Sequence, residues 1–415
     1  MENLIKFITK HANDDPNKLL LSRSKWPDID MNMAVDTILT RKRLKTKAPS
    51  WWACESLIYP YRLASEQCSS EDTAIYKANI AKSIITTHTS VGESGGKIAD
   101  LTSGMGIDDW AFSLVAQKVL YNDMNPSLVE AARHNFAALG RTNIDFRSIM
   151  IEPGKIAEYL DDFQADLIFA DPARRGSDGS KVFLIEDCTP DILGLKEEIF
   201  QHTRHLLIKL SPMADIAMVV ERLGEHCREV HIVGAQGECK ELLIWMDREW
   251  SGEAQMVVVD LARHGDTDEF RFLMSQERAG VAVFAKEEDI AEGAVLFEPG
   301  KALMKSGCFK LLCERCGMKK FGVSTHLYVR GEENGCEATK TLGKEYEIKE
   351  IYPFNNKTIK EVGKKYKKSS ITARNLPVSS DELRKKMGLN SGSDAHLFAL
   401  KSDCAGNLLL VTERK

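Results

Sequence analysis

Along the first ninety positions apolar residues recur three and four apart, so this region is predicted to be helical. The clearest case is "SSEDTAIYKANIAKSII", where Ala74, Ala78, Ala81 and Ile84 fall on one helical face. Ser69 can cap this helix, and Glu71 and Asp72 suit its positive end. From Lys97 the rhythm changes to strand–helix alternation. "KIAD", "KVLYND", "NIDF", "ADLIFAD" and "HLLIKLS" read as strands. "DDWAFSLVAQ" reads as a helix, as does "PSLVEAARHNFAALG", with Pro126 in its first turn and Gly140 at its end. "EVHIVGA" and "KELLIWM" look like a closing pair of strands. Alternation of this kind implies a mostly parallel sheet covered on both faces.

Trp250–Gly252 marks a plausible boundary. Beyond it "AQMVVVDL", "EFRFLMS" and "THLYVRG" look like strands, and "GKALMKSGCFKLLCERCG" like one helical stretch. From about Tyr346 the order is strand, helix "NKTIKEVGKKY", strand, helix "SSDELRKKMG" and two final strands, a small α+β module. The expected organisation is therefore four segments, 1–90, 91–250, 251–340 and 341–415.

Composition narrows the class. A chain of 415 residues exceeds one ordinary core, and 43% hydrophobic with 28% charged residues belongs to a globular protein. No run approaches the roughly 20 apolar residues of a membrane helix, and the start turns polar at once, so no membrane association is expected. Ten cysteines at irregular spacing without a secretion signal suggest reduced thiols and a cytoplasmic location. Net charge is −5, yet Lys357–Lys386 holds ten Lys and Arg against three Asp and Glu. "RKRLKTK" at Arg41–Lys47 is a second basic cluster. Either can face phosphates or be a solvated surface.

Candidate chemistry sits at the strand ends. "IADLTSGMGID" runs a strand into Asp100, then Thr102, Gly104 and Gly106, before a helix. The glycines allow a tight turn and close ligand approach, but an acid ahead of them would repel a pyrophosphate. A cation fits better, such as the sulfonium and ammonium of S-adenosylmethionine, with Asp100 meeting the ammonium. At the second strand's end Asp123, followed by Asn125, suits ribose hydroxyls. The fourth strand ends in "LIFADPARRG". There Asp171 could hold an amine of a base, Pro172 stiffens the turn, and Arg174 could stack or bind phosphate. An aromatic residue two or three places past this acid would stack a base, but this chain has Ala173 and Arg174 there. Carbon methylation needs a thiol near "KLSPM", where Ser211 is a poor nucleophile, and Cys188 and Cys239 lie elsewhere. Cys308, Cys313, Cys316 and Cys336 lack matched ligand spacing and read as buried or incidental thiols, so no metal is expected.

"DLTSGMGID", "YNDMNPSLVEAARHNFAALG" and "FADPARRG" resemble the first, second and fourth motifs of class I methyltransferases. More widely, "EQCSSEDTAIYKA", "LIKLSPMADI", "GECKELLIW", "LFEPGKALMKSG" and "ITARNLPVSSDELRKKMGL" resemble the bacterial THUMP-like class I S-adenosylmethionine-dependent methyltransferase family. The resemblance implies an α/β fold: a Rossmann-like class I methyltransferase core, a helical N-terminal region, and two small C-terminal α+β modules, ferredoxin-like and THUMP-like. It implies S-adenosyl-L-methionine as cofactor, with Gln67, Ser69 and Ser70 over its amino-acid end. THUMP modules in other proteins bind RNA, so rRNA or tRNA is the expected partner. The acid that many class I enzymes carry for adenine falls near Met150 here, leaving backbone groups or Glu152. The expected function is methyl transfer to a base in RNA. The rivals are a DNA amino-methyltransferase and a cofactor-binding protein without turnover.

Overall fold

The structure, a computed structural model, describes residues 1–88, 95–174, 185–261, 268–330 and 339–415; the side chains of His88, Arg174, Thr339 and Lys340 lie outside the description. Two compact units divide the chain: residues 1–230 with 241–253, and residues 231–240 with 254–415.

The first unit opens with helices, the longest being Met31–Lys47 and Glu71–His88. Asp30 caps the former by accepting the Met33 N–H at 3.0 Å. Leu4 and Phe7 of the helix Glu2–Lys10 and Val35 and Ile38 of the helix Met31–Lys47 bury one apolar cluster together with Ala131 of the helix Pro126–Ala138, which fastens both to the sheet layer. In Glu71–His88 the expected face is buried, with Ala74, Ala78, Ala81 and Ile84 at most 2% exposed. One detail differs. The helix is capped by Ser70, whose Oγ accepts the Thr73 N–H at 3.3 Å, and not by Ser69.

Four strands, β1 (Lys97–Asp100), β2 (Lys118–Asn122), β3 (Ile144–Arg147) and β4 (Leu167–Ala170), form a parallel set. A two-residue ladder of β5 (Ala173–Arg174) and β6 (Cys188–Thr189) follows. Then come β7 (His205–Leu210), β8 (Cys227–Ala235) and β9 (Glu238–Asp247). The order is β9-β7-β4-β1-β2-β3, with β9 antiparallel to β7. Strand order reverses at β1, which pairs β2 on one side and β4 on the other. In an open α/β sheet such a reversal leaves a ligand crevice at the carboxyl ends.

The second unit holds β10 (Gln255–Leu261) paired antiparallel with β11 (Phe270–Leu273). Its larger sheet contains β12 (Val295–Pro299), β13 (Lys319–Lys320), β14 (Tyr328–Arg330), β15 (Gly343–Pro353), β16 (Ser370–Arg374), β17 (His396–Ser402) and β18 (Gly406–Arg414). The order is β13-β14-β12-β15-β18-β17-β16, parallel only between β16 and β17. Alternate residues of β17 and β18 serve two cores. Phe398, Leu400, Leu408 and Leu410 bury one face, while Leu397, Ala399, Leu409 and Val411 pack under the helices Asn356–Lys365 and Ser380–Met387. The stretch expected to form one helix is two, Lys301–Ser306 and Leu311–Cys316, parted at Gly307, which takes φ +72°.

Candidate active site

The carboxyl end of β1 is knotted to that of β4 by one threonine. Asp100 is buried, and its Oδ1 accepts from the Thr102 N–H at 2.7 Å and from the Thr102 hydroxyl at 3.2 Å. The same hydroxyl oxygen accepts the Asp171 N–H at 2.7 Å. Beyond it the chain turns through Gly104 and Gly106 into the helix Ile107–Ser113. Gly106 takes φ +86°, and a Cβ there would stand 2.7 Å from the Phe136 ring, so only glycine fits. At Gly104 a Cβ would meet only the Thr102 carbonyl, 3.9 Å away, so the turn is open on that side. The Tyr121 hydroxyl donates to the Gly104 carbonyl at 2.6 Å and fixes the turn.

Acids crowd this turn. Burial pushes the Asp100 carboxyl well above the usual carboxylate range, and the charges of Asp109, Asp108 and Asp171 push it the same way. Burial does the same to Asp109 against its hydrogen bond from Ser103, with Asp108 and Asp123 adding to the rise. Asp109 Oδ2 is buried without a hydrogen-bond partner among the described residues. Asp123, half-buried at the end of β2, is raised by burial against the amides of Asn125 and Gly104. An open glycine turn ringed by acids that gain from a nearby positive charge suits a cationic ligand and repels a pyrophosphate.

The remaining expected contacts are distributed unevenly. Asp123 Oδ1 accepts the Asn125 N–H at 2.7 Å, while the Asn125 side chain caps the helix Pro126–Ala138 by accepting from the Ser127 N–H at 3.0 Å. Asn122, which the sequence reading passed over, clamps both backbone groups of Ile149 at 2.9 Å and reaches the Leu101 carbonyl at 3.1 Å. Its neighbour Met150 is exposed, as is Glu152. Gln67 is exposed at the end of the helix Arg62–Gln67. Ser69 is buried and donates to Asp108 Oδ2 at 2.7 Å, so it holds an acid of the turn.

Beneath Asp171 lies an alternation of lysines and carboxylates. Lys209, near the end of β7, places Nζ 2.5 Å from Asp171 Oδ2. Burial opposes the Lys209 charge, but Asp171, Glu241 and Asp108 outweigh it and hold the ammonium above the usual lysine range. Lys77, fully buried on the helix Glu71–His88, donates to Glu241 Oε1 at 2.7 Å and lies 3.3 Å from Asp108 Oδ1. Burial raises the Glu241 carboxyl, while Lys77 and Lys209 pull it down. Three of these residues were not singled out from sequence. Their signal is a charge at a core position: Lys77 in "AIYKANI", Lys209 in "LLIKLS" and Glu241 in "CKELLIW".

Pro172 is buried at the turn and Ala173 is exposed. The Arg174 side chain, expected to meet a base or phosphate, lies outside the described residues, as do Arg175 and Gly176. Ser211 accepts the Met213 N–H at 3.2 Å in a turn after β7, and Cys188 and Cys239 sit within β6 and β9. Cys308, Cys313 and Cys316 are buried in the second unit, and Cys336 lies outside the described residues.

The two basic clusters differ. Most of "RKRLKTK" ties the first unit's helices together. Arg41 donates to the Cys54 and Trp52 carbonyls, Arg43 pairs with Glu66 at 2.5 Å, and Lys47 donates to the Ser65 and Glu66 carbonyls. On the helix Asn356–Lys365, by contrast, Lys357, Lys360 and Lys364 are exposed on neighbouring turns. The helix stops before Lys368, so that residue leaves the face expected for it. Lys365 pairs with Glu350, and Arg374 with Glu298 at 2.8 Å. Among the described residues no helix is long and apolar enough to cross a membrane.

Known proteins place this arrangement. The family model described as THUMP domain-like matches residues 343–414, and a ferredoxin-like domain model matches 296–334. Two Mycobacterium tuberculosis proteins, from strains CDC 1551 / Oshkosh and ATCC 25618 / H37Rv, are each named an uncharacterized S-adenosylmethionine-dependent methyltransferase. Both are 26% identical to this chain over 216 residues, 49% of this chain and 56% of theirs. The match thus spans little more than half the length of these curated relatives. A crystal structure from Porphyromonas gingivalis W83, classed as a methyltransferase, is 30% identical and superposes with a TM-score of 0.83, covering 99% of this chain and 97% of that one. With that end-to-end match, and the domain models at its C-terminal part, the chain belongs to the THUMP-like class I S-adenosylmethionine-dependent methyltransferase family.

Proposed function

We propose that the protein transfers a methyl group from S-adenosylmethionine to RNA in the cytoplasm. The observation that carries this reading is the open glycine turn at Gly104 and Gly106, ringed by Asp100, Asp109 and Asp123 and tied through Thr102 to Asp171. In this reading Asp100 faces the cofactor's ammonium directly or through water, Asp123 accepts from its ribose, and Ser69 acts by holding Asp108. The cofactor supplies a methyl group already activated on sulfur. The chain therefore contributes mainly position, which is worth roughly 7–11 kcal/mol in well-oriented reactions. Asp171, held by the Thr102 hydroxyl and stiffened by Pro172, stands where an acceptor would arrive.

RNA is favoured as partner by the exposed lysines Lys357, Lys360 and Lys364 within the segment that matches the THUMP domain-like model. Such a face suits the regular phosphates of a stem, which proteins recognise largely by shape and backbone. Mass-spectrometric comparison of rRNA and tRNA nucleosides, with and without the gene, tests the reading. A methylated nucleoside should disappear from RNA. Its disappearance from DNA instead would replace RNA as the substrate. Titration of S-adenosylmethionine into the folded protein without heat or saturation would remove the cofactor assignment.

A further inference from the structure

We propose that the acceptor is the 2′-hydroxyl of a ribose in RNA, activated by the Asp171–Lys209 pair, and not an amine of a base. The inference rests on the methyl-transfer reading and names its acceptor. Asp171 and Lys209 lie 2.5 Å apart at the tips of β4 and β7, with side chains 33% and 13% exposed. What meets an incoming group is therefore a carboxylate–ammonium pair. A lone carboxylate would suit an amine, whose nitrogen gains positive charge as it attacks a sulfonium methyl, but an adjoining ammonium opposes that charge. A hydroxyl develops charge of the other sign as its proton departs, and an ammonium stabilises it.

Two further observations agree. The position after Pro172, at the start of β5, is Ala173, exposed but too small to stack a base. Behind the pair, Lys77 and Glu241 form a second lysine–carboxylate contact at 2.7 Å, fully buried and steadied by Asp108. A buried charged pair of that kind is costly to maintain, and the charges of Glu241 and Asp108, which help to keep Lys209 protonated, give it a use. Asp171 and Lys209 touch the acceptor in this account, whereas Lys77 and Glu241 are positioning residues.

The step balances. The 2′-oxygen bonds to the methyl carbon as the carbon–sulfur bond breaks, and that bond's electron pair stays on sulfur. The hydroxyl proton passes to the Asp171 carboxylate. Lys209 keeps its protons and donates one hydrogen bond to the 2′-oxygen. One sulfonium and one carboxylate are consumed, and a neutral thioether and a carboxylic acid remain. DNA has no 2′-hydroxyl, so the same chemistry would exclude it.

The test uses the full-length protein, methyl-labelled S-adenosylmethionine and total RNA from a strain lacking the gene, followed by complete alkaline hydrolysis. Alkali cuts RNA through attack of each 2′-oxygen on its neighbouring phosphate, so a methylated 2′-oxygen leaves an uncut dinucleotide. The expected result is label in dinucleotides. Label in mononucleotides would overturn the inference while leaving RNA methylation standing, and unlabelled RNA would remove both. Lys209→Met should retain the calorimetric affinity for S-adenosylhomocysteine and lose roughly a hundredfold or more in transfer, as expected when a donor that stabilises a developing oxyanion is removed. Lys209→Arg should retain part of it. Transfer at the wild-type rate by Lys209→Met would overturn the role of the pair. Should Lys209→Met fail to bind S-adenosylhomocysteine, the wild-type hydrolysis pattern still decides.

Discussion

Replacing Asp123 by Ala should weaken S-adenosylmethionine binding by about 1.5–3 kcal/mol, typical of hydrogen bonds involving a charged group. Calorimetry on the folded variant checks this, and unchanged affinity would move the ribose elsewhere. Asp100 makes a pH prediction. In the free protein its carboxyl is raised by burial first and by Asp109, Asp108 and Asp171 next. A bound cation lowers it again, so binding should release protons at a pH below that raised value, and affinity should fall as the pH falls. Titrations in buffers of different ionisation heat would show the release; heats independent of buffer across the acidic range would contradict it. At this scale the sequence was informative where candidate residues recur at strand ends. Asp100, Gly104, Gly106, Asp123 and Asp171 stand together because an α/β sheet gathers its carboxyl ends, and that is readable from order alone. Lys77, Lys209 and Glu241 were not legible. Lys77 meets its partner 164 positions away, and periodicity carries no information about such pairs.

Helix Glu71–His88 and strand β9 are joined by one of these pairs, so the pair predicts how they hold together. Lys77→Met would remove the cation in direct contact with Glu241 and Asp108, leaving them only the charge of Lys209, and should cost about 3–5 kcal/mol in urea unfolding. Replacing both Lys77 and Glu241 by Met should recover part of that loss, because no unpaired carboxylate then remains at position 241. A double variant as unstable as the single one would mean the stability resides in packing and not in charge. Elements with strong apolar rhythm were well placed by the sequence: β1, β2, β4, β7 and the helix Pro126–Ala138 fall where alternation put them. The errors have local causes. Gly307 in a left-handed conformation splits the helical stretch around Ser306, and the β5–β6 ladder is too short to leave a periodic signature.

Strand β15 pairs with β12 on one side and β18 on the other, and one core holds Leu296, Val329, Tyr346, Phe398 and Leu410 together. Deleting residues 341–415 would therefore expose the edge of β12 and open that core, so loss of RNA binding by the truncated chain would not identify the reader. Substituting Lys357, Lys360 and Lys364 by Gln leaves the sheet intact. If each meets a phosphate, the triple variant should flatten the log–log salt dependence of RNA binding by about 2–3, while cofactor affinity stays the same. An unchanged slope would shift attention to other basic surfaces, although "RKRLKTK" spends most of its charge on its own unit.

The most direct test of the account is transfer itself. Purified protein, methyl-labelled S-adenosylmethionine, and total RNA or DNA from a strain lacking the gene are incubated separately, with the Asp171→Ala variant alongside. Label is expected in RNA, none in DNA, and little in RNA with the variant despite undiminished cofactor binding. Label in DNA alone, or none in either nucleic acid from a protein that binds the cofactor, would contradict it.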